Sequence, residues 1–427
     1  MDDEAEEAGS FSTDAEALNR SCFCLTLDRP SLCAALEREA DDPAFCRTYV
    51  TPRSHLFSNV PFFLPEATLR AMQEVVGTIH QVSTSHAFQN HVLSWAPPIA
   101  RAAPGPVGAF MGFDFHLTAA GPRLIEVNTN AGGAFLNNLL ARAQIACCRP
   151  MKTQAREIPA VDFAAEVLRM FEAEWRLQGA SRSLRRIAIV DDAPETQYLY
   201  PEFILARQML AKAGYEAVIA DPEALTFSGG ALLHEGRPVD LVYNRLVDFA
   251  LEEPRHAALR QAYEARAAVL TPNPHNHALM ADKRNLVLLS DAEGLARLGV
   301  SSRLQAILRA VPRTIMLGPD TASDAWSKRK SLFFKPMRGY GSKAVYRGDK
   351  ITRGVFEEIA KGGYVAQEFA PASERMMRVE GVAEPRKVDV RLYAYAGRML
   401  LAAARIYQGQ VTNFRTAGGG FAPVFVV

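Results

Sequence analysis

Three hard oxygen donors lie close together in the stretch from Phe113-Asp114-Phe115-His116 to Glu126-Val127-Asn128. Glu126 and Asn128 are two apart, so on a strand they share one face. Asp114 precedes Glu126 by twelve residues, and a hairpin between them lays it alongside. Two carboxylates and an amide oxygen are what Mg²⁺ takes when substrate phosphates complete its octahedron. A solvated hairpin with a polar outer face is the plain alternative. The following Thr129-Asn-Ala-Gly-Gly133 allows backbone to approach something closely.

A second segment runs Phe333-Phe-Lys335-Pro336-Met-Arg338-Gly339-Tyr-Gly341-Ser342-Lys343. A lysine ends a strand and a glycine loop follows. Such a loop aims N–H groups at phosphate oxygens while the lysine supplies charge; an ordinary hairpin turn would look similar. Gly339-x-Gly341-x-x-Ala344 matches a dinucleotide fingerprint in letters alone. That fingerprint must open a helix, and here Ala344-Val-Tyr346 resumes a strand. It is not a P-loop either, because the lysine precedes the glycines. Further on, Tyr364-Val-Ala-Gln367-Glu368 can offer main-chain groups to an adenine edge, as any core strand could. Asp389 and Arg391 share a strand face, Arg405 follows on the next strand, and Asn413 leads to Gly418-Gly419-Gly420. Three glycines are costly in conformational entropy. They either cover a ligand or form a loose tail.

The elements that position these residues are read from periodicity. Helices are expected around 31–40, 66–84 and 157–177, and a hairpin over 108–130. Alternating strands and helices over 186–280 imply a parallel sheet. After 281 come a helix, strand 331–335, strand 344–346, a helix near 352–360, strand 364–368, and strands 387–394 and 400–407. Residues 1–20 are acidic and expected to be a mobile tail. The expected division is 1–20, then 21–185 with the hairpin, 186–280, and 281–427.

The 427 residues are 48% hydrophobic and 22% charged, a globular balance. No apolar run is long enough for a membrane span. The acidic opening Met-Asp-Asp-Glu is the wrong charge for a leader, and six cysteines make no disulfide framework, so a cytoplasmic chain is expected. Cys22, Cys24, Cys33 and Cys46 fit no common zinc spacing and read as free thiols. The net charge of +1 hides an asymmetry: residues 281–427 carry 24 Lys and Arg against 13 Asp and Glu. Charge dispersed through glycine-rich strands suits a small polyanion better than nucleic acid.

Together these motifs resemble the ATP-grasp superfamily, in particular its glutathione synthetase-like and glutathionylspermidine synthetase-like branch. The family's order is followed by Asp282-Lys283, Lys335-Pro336 with Gly339 to Lys343, Gln367-Glu368, Asp389-Val-Arg391, and Arg405 through Gly420. The metal motif is displaced to 114–128, which implies a circular permutation. The resemblance implies an α/β (α+β) ATP-grasp fold with a Rossmann-like parallel-sheet domain. It also implies a carboxylate–amine ligase working through an acylphosphate. An ATP-grasp kinase and a nucleotide-binding protein without turnover are the alternatives.

The implied cofactors are ATP and Mg²⁺, with Mn²⁺ as a substitute. Asp114, Glu126 and Asn128 would hold the metal. Lys283 and Lys335 would hold phosphates, with Gly339, Gly341 and Ser342 over them. Gln367 and Glu368 would meet the base, and Glu374 the ribose. Arg405, Arg391 and Asn413 would serve catalysis. Arg245 would clamp a substrate carboxylate, and Gly418 and Gly419 would cover the substrate. The partners implied are a small carboxylate and a small amine, without nucleic acid or membrane; a homodimer is compatible.

Overall fold

The computed structural model describes residues 15–23, 25–144, 156–157, 162–179, 181–339, 344–410, 412–413 and 415–427. Its longest strand, Val382–Tyr395, shows how alternation organises the rest. Val388, Val390 and Leu392 are buried in an apolar core on one face. Asp389 and Arg391 therefore fall on the other. Helix Glu66–Ser83 covers the apolar face with Leu69, Met72, Val75, Val76 and Ile79, the residues its period selects.

This strand is central to the largest sheet. The path across it is Phe62–Leu64, Gly420–Val426, Arg398–Tyr407, Val382–Tyr395, Met111–Thr118 and Gly121–Asn128. Hairpin 111–128 thus hydrogen-bonds directly to strand Val382–Tyr395, late in the chain. A second sheet is antiparallel, ordered Thr314–Leu317, Tyr364–Glu368, Leu332–Pro336, Tyr346–Arg347. A third is wholly parallel, ordered Val269–Thr271, Leu241–Asn244, Arg186–Val190, Glu216–Ala220. A small meander, 225–238, follows its last-named strand in the chain and was not foreseen from the sequence. No helix among the described residues is long and apolar enough to cross a membrane.

Several expectations need correcting. Residues 15–21 form a docked helix rather than part of a mobile tail. The Asn19 amide donates to Phe63 O at 2.8 Å and accepts from Phe63 N at 3.0 Å, so it satisfies strand backbone that would otherwise be unpaired. Cys33 and Cys46 are disulfide-bonded, with Cα atoms 5.4 Å apart. Helix Arg29–Ala40 ends at Asp41 in the left-handed region, and the chain turns back to bring Cys46 beside it. The argument from cysteine count to a reducing compartment loses its premise. Cys22 is a buried free thiol, and Cys24 lies outside the described residues. The helix expected over 157–177 begins at Phe163, where Asp162 caps it. The glycine-rich end is no loose tail: Gly420–Val426 is buried throughout. At Gly420 (φ 134°) a Cβ would lie 2.8 Å from the backbone of Phe57 and Ser58, so close strand packing requires this glycine.

Gly133 is equally constrained. It precedes helix Ala134–Arg142 with φ 104°. The buried Glu202 carboxylate accepts from Gly133 N at 2.5 Å and Phe135 N at 3.3 Å, and so caps that helix from another element. A Cβ at Gly133 would lie 2.4 Å from the Phe421 ring and 2.8 Å from Tyr393 Oη. Gly133→Ala should therefore cost about 2–4 kcal/mol, read as a lowered denaturant midpoint. Gly121→Ala, with φ 98° but open space around it, should cost only about 1–2 kcal/mol. Equal costs for the two would contradict the packing argument.

Candidate functional site

Cross-strand register assembles the polar face of the large sheet. Arg405 is opposite Asp389, Arg391 is opposite Asp114, and Asp114 is opposite Glu126. Directly opposed residues share a face, so the charges form a row. Arg391 donates to both Asp114 oxygens, at 2.6 and 2.7 Å. Arg405 donates to Asp114 Oδ2 at 2.7 Å and to Asp389 Oδ1 at 2.5 Å. Thr412 Oγ1 donates to Asp389 Oδ2 at 2.5 Å. Burial pushes the Asp114 carboxyl up, but Arg391 and Arg405 outweigh it and hold the group at about 2.

Asn128 Nδ2 donates to Asp114 at 3.1 Å and to Glu126 at 3.2 Å. The three expected metal ligands are therefore brought together, yet they are not equivalent. Asp114 is 2% exposed, and both its oxygens accept from guanidiniums. Glu126 faces open space. Burial raises its pKa, Lys283 lowers it, Asp114 raises it and Lys335 lowers it, with a net shift downward. Glu126 is thus an ionised, accessible hard donor, and it fits a divalent cation. Asp114 serves to fix the arginines.

On the facing sheet, Leu332 and Phe334 enter an apolar core. Phe333 and Lys335 consequently point toward the large sheet. Lys335 Nζ donates to Ile125 O at 2.9 Å and to Gln367 Oε1 at 2.7 Å. Lys283 Nζ donates to Gly339 O at 3.0 Å and stands 3.9 Å from Glu126. A cleft lies between the two sheets. Glu126, Lys283, Lys335, Gly339, Gln367 and Glu368 all line it.

Other expected residues are placed elsewhere. Glu374 borders a separate groove with Asn19 and Phe63, on strand Ser373–Val379, which pairs with the first half of strand 382–395. Gly418 O accepts from Ser58 Oγ at 3.1 Å, and Gly419 N donates to Thr416 O at 2.8 Å. These two glycines bind protein and do not line the cleft. Asn413 is exposed and accepts from Arg415 N. Arg245 is buried under the loop after Asn128, donating to Ala131 O and Tyr243 Oη at 3.3 Å each. Gly341 and Ser342 lie outside the described residues.

The cleft also holds residues that sequence reasoning passed over: His116, Phe333, Phe369, Tyr407 and Thr412. His116 and Tyr407 carried a signal, since each is two residues beyond a residue already singled out, Asp114 and Arg405. Phe369 carried one too, since it directly follows Gln367-Glu368 at the end of that strand; Thr412 carried none.

No family model matches the sequence, and no curated protein matches it. Solved structures do. A glutathione synthetase-like effector (GSS30) from Globodera pallida, in its apo form, aligns with TM-score 0.56 at 12% identity. The alignment covers 94% of this chain and 98% of that one. The chain has the fold of a glutathione synthetase-like protein. A candidate gamma-glutamylcysteine synthetase from Methylobacillus flagellatus KT gives TM-score 0.44 at 15% identity, over 85% of this chain and 89% of that one. The ATP-grasp ligase PsnB, complexed with minimal precursor, Mg and ADP, gives 0.29 at 14% identity, over 56% and 87%. Of these three the first alone exceeds 0.5, and at its level of identity it establishes fold and not chemistry. The mixed α/β architecture expected from the motifs is the one found.

Burial pushes the Lys335 ammonium down to about 8, with Lys283 adding to the effect and Glu126 and Asp114 resisting it. The folded chain thus holds this proton less tightly than the unfolded one. Between about pH 8 and about 10.4 the unfolded state binds more protons, so this group's penalty on stability fades as pH rises through that window. A polyphosphate favours the charged lysine. Its binding near pH 8.5–9 should take up about half to one proton, and none near pH 6.5. Calorimetry in buffers of different ionisation enthalpy measures this. Equal heats across buffers at the higher pH would contradict it.

Proposed function

We propose that this chain is an ATP-dependent carboxylate–amine ligase. The observation that carries the reading is the convergence of Lys283, Lys335 and Glu126 on one cleft between two sheets. Lys283 and Lys335 bring two ammonium groups onto a cleft that Glu126 and Glu368 also line. Those ammonium groups can pair with polyphosphate oxygens, while a divalent cation can bridge the phosphates to Glu126. Lys283 and Lys335 would hold phosphate oxygens, and Phe333, Gln367 and Glu368 would border the base. Glu126 and the amide oxygen of Asn128 would hold Mg²⁺, which when bound neutralises charge on β- and γ-phosphate oxygens.

The substrate carboxylate would take the γ-phosphoryl group, giving an acylphosphate and ADP. The amine would then attack the acyl carbon and expel phosphate. The first stage gathers negative charge, so catalysis is mostly electrostatic. Arg405, whose charge reaches Glu126 and His116, and Arg391 would oppose that charge from a position fixed by Asp114 and Asp389. Gly339 would help exclude water over the phosphates.

A circular permutation accounts for the strand order. The hairpin comes early in the chain yet lies beside strand 382–395, in the same sheet as 398–407 and 420–426. On this reading 186–280 forms a substrate-side unit and 281–427 the nucleotide-binding lobes.

The test is phosphate release by the full chain with ATP and Mg²⁺, screened over pairs of amino acids, dipeptides and polyamines. A ligase releases ADP and free phosphate only when acid and amine are both present. Glu126→Ala should lower that rate at least about a hundredfold without changing thermal stability downward. ADP formation from a single acceptor, with no free phosphate, would identify a kinase instead. Unaltered release with normal Mg²⁺ dependence in Glu126→Ala would overturn the site.

A further inference from the structure

The strand 364–368 and the residues just after it border the cleft where the base is placed above, and this inference rests on that reading. Main-chain groups there would ordinarily read an adenine edge. Here several are already engaged. Glu368 N donates to Arg313 O at 2.8 Å, and Phe369 N to Ser331 O at 2.8 Å. The Ala370 carbonyl accepts from His116 Nδ1 at 2.7 Å. A carbonyl can only accept, so Nδ1 carries the proton. In a neutral imidazole the bare lone pair is then on Nε2. The ring lines the cleft together with Phe333, Phe369 and Ala370.

We propose that His116 is the specificity-determining residue for the nucleotide base, with Nε2 accepting a hydrogen bond from the 6-amino group of adenine. Guanine presents an oxygen at the same position, and two acceptors would then face each other with no proton between them. The site should therefore select ATP over GTP.

The test is calorimetric binding of ATP, GTP, purine riboside triphosphate and 2′-deoxyATP to the full chain with Mg²⁺. His116→Asn keeps a donor for Ala370 O but has nothing at the Nε2 position; His116→Leu removes both. The wild-type chain should prefer ATP to GTP and to purine riboside triphosphate by at least about tenfold, and bind 2′-deoxyATP like ATP. Both variants should lose that preference. His116→Asn retaining the wild-type ratio would reduce the residue to a positioning role and overturn the proposal. So would a wild-type preference for GTP, or a loss seen with 2′-deoxyATP and not with purine riboside triphosphate. Should no nucleotide bind the wild-type chain, the nucleotide reading itself fails, which this design separates from failure at His116.

Discussion

Two carboxylates and two guanidiniums, alternating across three neighbouring strands, hold the polar face of the large sheet. Asp114, Arg391, Arg405 and Asp389 are each almost wholly buried or nearly so. Removing any one charge from water costs several kcal/mol, roughly, and mutual pairing in good geometry recovers it. The four together are neutral, and none can be omitted without stranding another. This fixes register as well as stability. A one-residue slip of strand 111–118 would turn Asp114 into the apolar core and leave Arg391 without its carboxylate. The network therefore dictates that two segments 277 positions apart lie side by side.

That constraint explains the division of labour among the acidic residues. Asp114 looked like a metal ligand because its type and spacing suit one. On the sheet, its two oxygens accept from Arg391 and Arg405, so much of its accepting capacity is engaged there. Glu126 is one strand further out, past the last arginine, and it turns to the cleft. There it meets Lys283 and Lys335 and stays ionised. Chemistry at this site is thus set by position along the charge row, from fully compensated at Asp389 to open at Glu126.

Much of this was legible from local pattern. The hairpin, the shared face of Glu126 and Asn128, the facing of Lys335 and the Asp389–Arg391 alternation all follow from the two-residue period of strands. What was missed depends on partners distant in sequence. Strand 420–426 has no polar alternation because it is buried on both faces, so it reads as the end of a glycine tail. Gly420 suggested ligand contact, and the nearby atoms are backbone of Phe57 and Ser58. Gly133 suggested the same, and its neighbours are Phe421 and Tyr393. Glycines report that something comes close; they do not report what. The Cys33–Cys46 bridge was hidden for a similar reason, as composition says nothing about which thiols a helix reversal brings together.

The two sides of the cleft are held by unlike forces. The large sheet is fixed by charge pairs and an apolar core. The small sheet reaches it through polar contacts to neutral groups: Lys335 to Ile125 O, His116 to Ala370 O, and on the Lys283 side the Gly339 carbonyl. A neutral carbonyl is a weaker partner for an ammonium than a phosphate oxygen is. On the proposed reading, a nucleotide would draw both lysines from those carbonyls onto its own charge, exchanging two modest contacts for stronger ones. The same exchange would loosen the small sheet's direct hold on the hairpin while linking the two sheets through the ligand. Binding and closure of the cleft would then be one event, driven by the exchange of carbonyl for phosphate partners at the two ammonium groups.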